Sequence, residues 1–66
     1  MTRVQIVSIM DAIRIVSEEV HGPAPKEMVM ERVEEIGVGK EKFGEVLGWL
    51  RKAGALVESE GLLRLV

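Results

Sequence analysis

The sequence contains no cysteine and no tyrosine, and its aromatic side chains are limited to Phe43 and Trp49. Without cysteine, neither a disulfide framework nor a thiolate metal site can stabilise the chain. No apolar run approaches the roughly 20 residues of a membrane-spanning helix, and no signal peptide is visible. These absences fit an intracellular protein and predict no membrane-spanning segment.

Positive charge is also scarce. The 9 Lys and Arg residues are outnumbered by 11 Asp and Glu, which gives a formal net charge of −2 and a pI near 5.3. Nucleic-acid-binding proteins usually carry a basic patch and a high pI. The charge balance therefore argues against a nucleic-acid-binding protein. The 66 residues, 47% apolar and 30% charged, predict one globular domain over residues 1–66 with little room for a substrate cleft.

Residues 3–21 are predicted to form the first helix, because apolar residues recur there at helical spacing. The predicted buried stripe comprises Ile6, Ile9, Met10, Ile13, Val16 and Val20. Thr2 and Gln5 have the spacing of a capping box. The polar–apolar alternation over residues 3–6 leaves a short initial strand as the alternative.

The second helix is predicted over residues 25–36. Gly22 is the residue expected to end the first helix, and Pro25 suits the first position of the next, with one or two extended residues between them. The inward face is predicted to comprise Met28, Val29, Val33 and Ile36. Residues 37–39 then form a turn of the length found in a helix-turn-helix.

The third helix, residues 39–53, has the clearest signals in the chain. Its apolar residues fall at i, i+3, i+4 and i+7. This predicted buried face comprises Phe43, Val46, Leu47 and Leu50. Gly39 is the candidate N-cap, and Gly54 supplies the left-handed residue that ends the helix. In a helix-turn-helix this would be the recognition helix.

Residues 55–66 change from helical to strand periodicity. Two β-favourable runs, 55–58 and 62–66, flank a tight loop at Ser59-Glu60-Gly61. The hairpin is expected to bury Leu56, Leu63 and Leu65 against the helices. The predicted fold is mainly α (α+β): a winged helix-turn-helix with three helices followed by a short two-stranded β-hairpin wing.

No arrangement of residues suggests catalysis. The only histidine, His21, lies at a predicted helix end, and the glutamate pairs at 18–19 and 34–35 are interpreted as solvated helix faces. The sequence has no phosphate-binding loop, no metal-ligand spacing and no nucleophile with a partner base. We expect no catalytic residue, cofactor, metal or small-molecule substrate, and therefore no enzyme.

The outer face of the third helix is the candidate DNA contact, and its charges are mixed. Glu41 and Glu45 would be repelled by phosphates, and the predicted wing tip carries Glu58 and Glu60. We therefore expect weak or no DNA binding. The cations available for a salt-sensitive contact are Lys40, Lys42, Arg51, Lys52 and Arg64.

The third helix also carries candidates for protein contact. Trp49, the only tryptophan, either covers the core by folding over Ala53 or the wing, or serves as an exposed anchor of the kind enriched in interface hot spots. Gly44 and Gly48 would leave a smooth groove on the same helix.

The first helix is apolar beyond its predicted core face. Val4, Val7 and Ile15 project to the side that also holds Asp11 and Arg14. These three residues are either ordinary exposed apolar surface or a contact with another chain.

Several short stretches are similar to one known family. They are Ala24-Pro25, Glu34-Glu35-Ile36-Gly37, Lys40-Glu41-Lys42-Phe43, Glu45-Val46-Leu47, Leu50-Arg51-Lys52-Ala53-Gly54-Ala55-Leu56 and Gly61-Leu62-Leu63-Arg64-Leu65-Val66. Through them nearly the whole chain resembles the C-terminal winged-helix domain of archaeal minichromosome maintenance (MCM) replicative helicases. The wing departs from that family, which often has a proline-containing turn where this chain has Glu58-Ser59-Glu60-Gly61.

The resemblance implies a non-catalytic module that modulates the ATPase and unwinding activity of a hexameric DNA helicase through protein contacts. The implied partners are the ATPase core of the parent helicase and replication-initiation factors, in an archaeal cytoplasm near the nucleoid. Two alternatives stay open: a small winged-helix transcriptional regulator that dimerises through the first helix, and a winged helix of a single-strand-binding or chromosome-organising complex, used purely for protein contact.

Overall fold

A computed structural model describes residues 3–66, which form three helices and three short strands. In chain order these are α1 (Arg3–Val20), β1 (Ala24–Pro25), α2 (Lys26–Glu35), α3 (Lys40–Lys52), β2 (Leu56–Ser59) and β3 (Leu62–Leu65). The predicted α+β class is confirmed, and α1 is helical from Arg3 rather than starting as a strand. Thr2 of the predicted capping box lies outside the described residues. None of the described helices is long and apolar enough to cross a membrane.

Each described helix ends in a left-handed residue held by two backbone hydrogen bonds. In each motif one bond spans five residues along the chain. These bonds run from Gly22 N to Ser17 O, from Val38 N to Val33 O and from Ala55 N to Leu50 O, at 3.1, 2.9 and 2.9 Å. This pattern is the Schellman motif, which satisfies carbonyls left free at a helix end. Gly37 and Gly54 take the left-handed position in α2 and α3, as predicted for Gly54.

The prediction that Gly22 ends α1 is wrong by one residue. His21 adopts the left-handed conformation, with φ of 56°, and Gly22 follows it. Gly22 is nevertheless tied into the turn, because the Ser17 hydroxyl donates a 2.5 Å hydrogen bond to its carbonyl oxygen.

The strands form one antiparallel sheet in the order β1-β3-β2. The predicted hairpin is present, but the sheet has three strands rather than two, because the extended residues Ala24 and Pro25 pair with Leu63 and Leu62. The hairpin turn consists of Glu60 and Gly61, both at positive φ (53° and 75°). Positive φ at both central residues is the geometry of a type I′ turn, which matches the twist of the flanking strands.

The core lies between the inner faces of the helices and the sheet. Its buried residues are Ile9, Ala12, Ile13, Val16, Ala24, Val29, Val33, Val38, Phe43, Val46, Leu47, Leu50, Leu56 and Leu63. The predicted stripe of α3 is buried in full. Ile6, Met10 and Leu65 pack on the core while remaining partly exposed.

Three residues predicted to face inward are exposed. Met28 and Ile36 are exposed because the inward stripe of α2 is narrow: Val29 and Val33 are buried, and Met30 packs on the core while partly exposed. Ile36 follows the last residue of α2, so the helical spacing no longer directs it inward. Val20 is the last residue of α1 and lies one turn beyond Val16, the last α1 residue to reach the core.

Candidate functional site

The outer face of α3 is fixed by the burial of its inner stripe. Gly39 is the N-cap, in extended conformation, and its carbonyl accepts the first helical bond from Phe43 N at 2.9 Å. With the apolar stripe facing the core, the helical period turns the other residues outward. The outward residues, all exposed or half-buried, are Glu41, Lys42, Gly44, Glu45, Gly48, Trp49 and Lys52.

Two of the predicted DNA-contact cations are ion-paired within the molecule. Lys42 Nζ lies 3.4 Å from Glu45 Oε2, one turn further along α3. Arg51 Nη1 lies 3.3 Å from Glu58 Oε1 on β2. Both cations would have to exchange a carboxylate for a phosphate before they could hold DNA.

Glu58 does not lie at the wing tip, and the prediction that placed it there is wrong. It is the third residue of β2, opposite Leu63 in the register, and its side chain is only 19% exposed. Its second carboxylate oxygen, Oε2, lies 3.4 Å from Lys26 Nζ at the start of α2. Glu58 therefore links α3 and α2 to the sheet, and its charge is shared between two cations. Alternate side chains share one face of a strand, so the position of Leu56 could have indicated this inward orientation.

The hairpin turn is held against the start of α2. The Lys26 N–H donates a 2.8 Å hydrogen bond to the Gly61 carbonyl, and Pro25 is opposite Leu62 in the β1–β3 register. The hairpin consequently ends in a two-residue turn tied to a neighbouring helix rather than in a long loop free to reach a DNA groove.

The structure does not gather the five predicted cations into one patch. Lys40 and Lys52 are exposed on α3, and within residues 3–66 no carboxylate lies within ion-pair distance of either. Arg64 is on β3 opposite Val57. Because successive side chains of a strand point to opposite faces, Arg64 lies on the outer face of the sheet, away from the buried Leu63. Arg64 lines a surface groove with Arg14 and Glu18 of α1.

Trp49 is 50% exposed and is neither part of the core nor among the side chains that pack on it. Gly44 and Gly48 are helical, neither has positive φ, and a Cβ added at either position would meet no atom within 4 Å. The fold therefore requires glycine at neither position. An exposed ring and two glycines without a structural role favour the protein-contact interpretation of α3 over the core interpretation of Trp49.

The outer side of α1 is the second exposed surface. Val4, Val7 and Ile15 are all exposed, with Val4 at 73%. On the same helix, Arg14 Nη1 lies 3.2 Å from Asp11 Oδ1, forming an ion pair. The sequence missed Ile36, which is 60% exposed and lines a surface groove together with Ile15. Its position directly before Gly37, the left-handed residue that ends α2, was the signal that it would leave the inward stripe.

Within residues 3–66, no three side chains of His, Asp or Glu lie close enough to hold a metal ion. No family model matches the chain, and neither the curated proteins nor the solved structures contain a match.

Proposed function

We propose that the chain is a non-catalytic winged-helix module that acts through protein contacts of α3 and binds DNA weakly at most. The element order supports this fold: α2 and α3 are joined by the short segment 36–39, as in a helix-turn-helix. The β2–β3 hairpin follows α3 as the wing. In such a module α3 is the element that meets the partner.

The observation that carries the proposal is the outer face of α3. Trp49 is half exposed, and Gly44 and Gly48 are open to solvent with no conformational need for glycine. A glycine inside a helix costs roughly 1 kcal/mol relative to alanine. Close approach of a partner, with Trp49 as its anchor, explains both the glycines and the exposed ring.

The charges of the same face argue against tight DNA binding. Lys42 and Arg51 are ion-paired, which leaves Lys40 and Lys52 as the cations of α3 without a carboxylate partner in the described range. The salt dependence of DNA binding scales with the number of phosphates contacted. Two contacts predict a slope of log K against log salt of about −2, and binding too weak to persist at physiological salt.

A DNA titration at low and physiological salt tests the DNA part of the proposal. Trp49 is the only tryptophan, so its fluorescence reports contact at α3 directly. We expect weak, sequence-independent binding that disappears at physiological salt. Submicromolar, sequence-dependent binding at physiological salt would instead support the transcriptional regulator, dimeric through α1, as the alternative function.

The resemblance to archaeal MCM helicases makes the proposed partner specific. The chain would act in the cytoplasm on the ATPase core of such a helicase and on replication-initiation factors. Added to an MCM core that lacks its own C-terminal domain, the chain should change the rate of ATP hydrolysis. Trp49→Ala should abolish the change, and Val57→Ala, an exposed position on β2, should leave it intact. An unchanged rate with the native chain would contradict the helicase assignment.

A further inference from the structure

The outer side of α1 carries a seam with the spacing of a coiled coil. Its four positions are separated by four, three and four residues, the alternation of a heptad repeat, which lets one helix line up against another. These positions are Val4, Ser8, Asp11 and Ile15. All four remain at least partly exposed in the single chain, and Val4, at 73%, is the most exposed large apolar side chain of α1.

A groove lies beside the C-terminal half of this seam. It is lined by Ser8, Asp11, Ala12, Ile15, Arg32 and Ile36 and has a volume of about 270 Å³. Ile15 and Ile36 give it apolar walls, and Ile36 is 60% exposed. An aliphatic side chain inserted here would cover the two isoleucines.

We propose that α1 pairs antiparallel with α1 of a second copy of this chain, so that Val4 of each copy enters the groove at Ile15 and Ile36 of the other. The spacing of the seam is the same in both directions. A two-fold axis midway between Ser8 and Asp11 therefore sets Val4 opposite Ile15 and Ser8 opposite Asp11 at once. Such an interface is isologous and closes as a dimer.

The polar residues of the seam fit this register. The Ser8 hydroxyl makes no hydrogen bond within residues 3–66. Asp11 uses Oδ1 for Arg14 at 3.2 Å, and its carboxylate has further acceptor positions. In the dimer Ser8 donates to Asp11 of the other copy, twice by symmetry.

Other antiparallel registers are worse. Centring the pair on Asp11 sets two carboxylates face to face, and like charges at close range are repelled. A shift of seven residues sets Asp11 opposite Ile15, which buries a carboxylate against an alkyl side chain. The proposed register is the one that matches apolar with apolar and donor with acceptor.

The dimer should be weak. The 18 residues of α1 span about 27 Å, so the contact is smaller than the roughly 1,600 Å² of a standard protein interface. We expect dissociation constants in the range of about 10 µM to 1 mM. The proposed dimer surface is on α1 and separate from α3, so the dimer and the function proposed for α3 can be tested independently.

Sedimentation equilibrium over that concentration range tests the pairing. Val4→Glu and Ile15→Lys should each weaken dimerisation at least about tenfold, because each change affects both symmetric contacts. Val57→Lys, at an exposed valine on β2, should leave dimerisation unchanged, and circular dichroism of all variants verifies the helices. A single mass of one chain at every concentration would overturn the proposal.

Mixing the two charge variants tests the register. In a mixed dimer the glutamate at position 4 faces the lysine at position 15, and the other contact is native. The mixture should therefore associate more tightly than either variant alone. If Val4→Glu is instead rescued by Val4→Lys, the helices are parallel and the proposed register is wrong.

Cross-linking gives a second measure of the register, since the native chain has no cysteine. A mixture of the single variants Val4→Cys and Ile15→Cys should form a disulfide-linked heterodimer under oxidising conditions. A mixture of Val4→Cys and Val57→Cys is the matched control for random collision. Equal yields from the two mixtures would contradict the antiparallel dimer.

Discussion

The outer faces of α1 and α3 differ in the contacts that their side chains make within the molecule. On α3, Lys42 is paired with Glu45, and Arg51 with Glu58. On α1, the Arg14–Asp11 pair lies among valines and an isoleucine that nothing covers. On α3 two of the four cations are paired with carboxylates, whereas α1 carries exposed apolar side chains.

This difference separates two kinds of contact. Ion pairs on exposed helix faces contribute little to stability, but those of α3 weaken the positive field that would attract a polyanion. Exposed apolar side chains gain free energy when a partner removes them from water, roughly 25 cal/mol for each Å². These features support the proposals that α3 meets a protein partner and that α1 pairs with a second copy of the chain.

The largest expected effect separates the inner and outer sides of α3. Phe43→Ala removes a ring that is 1% exposed and should cost about 3–5 kcal/mol of unfolding free energy. That approaches the whole stability of a 66-residue domain, roughly 3–10 kcal/mol. Trp49→Ala, at a half-exposed ring, should cost about 1 kcal/mol. Urea unfolding followed by circular dichroism measures both.

The ratio of these two losses decides the role of Trp49. If Trp49→Ala lowers stability as much as Phe43→Ala, the ring belongs to the core and the proposed protein contact loses its anchor. If the loss is small, the outer face of α3 is free to serve a partner.

Replacing the two glycines of α3 should raise stability. Gly44→Ala and Gly48→Ala each remove a helix-weakening residue at a position where a Cβ meets no atom. We expect a gain of up to about 1 kcal/mol for each change, seen as a higher midpoint in thermal unfolding. Partner binding should weaken at the same time, because the added methyl groups fill the surface that the partner approaches.

Gly54→Ala is the control for this pair. Gly54 has φ of 77°, so alanine there is strained and should lower stability by about 1–2 kcal/mol. Stabilised Gly44 and Gly48 variants that retain full effect on the partner would contradict a close approach at α3.

The helices of this fold could be predicted because periodicity and end signals agree. The stripe of α3 and the left-handed Gly54 follow from local sequence alone. The sequence predicts extended residues between α1 and α2, but the pairing of Ala24-Pro25 with β3 could not be predicted because it depends on the tertiary fold. Met28 and Ile36 show the same limit: the pattern gave an apolar stripe, but packing decided how wide the buried part would be.

The surface was harder to predict than the core. Glu58 lies within β2 rather than at the predicted hairpin tip, and its ion pairs join three elements that are distant in the sequence. Strand alternation could have placed Glu58 on the inner face with Leu56, but not its reach to Lys26 and Arg51. The position of a charge could be inferred locally, whereas its neutralisation required the assembled fold.

The smallest expected change in stability is that of Glu58→Gln, a variant that tests whether ion pairing weakens DNA binding at α3. Glu58→Gln removes the carboxylate that holds both Arg51 and Lys26. Because the two cations are about half exposed, the loss of stability should stay below about 1 kcal/mol. DNA binding at low salt should become tighter, and the release of Arg51 on α3 should steepen the salt slope by about 1.

Glu60→Gln is the matched control, because it removes the same charge from the neighbouring hairpin turn, where Glu60 has no ion-pair partner among residues 3–66. Global charge alone would make both variants bind DNA equally well. A steeper salt slope for Glu58→Gln only would show that α3 is kept from DNA by the internal pairing of its cations. Equal slopes would mean that net charge, and not this carboxylate, sets the weakness of the contact.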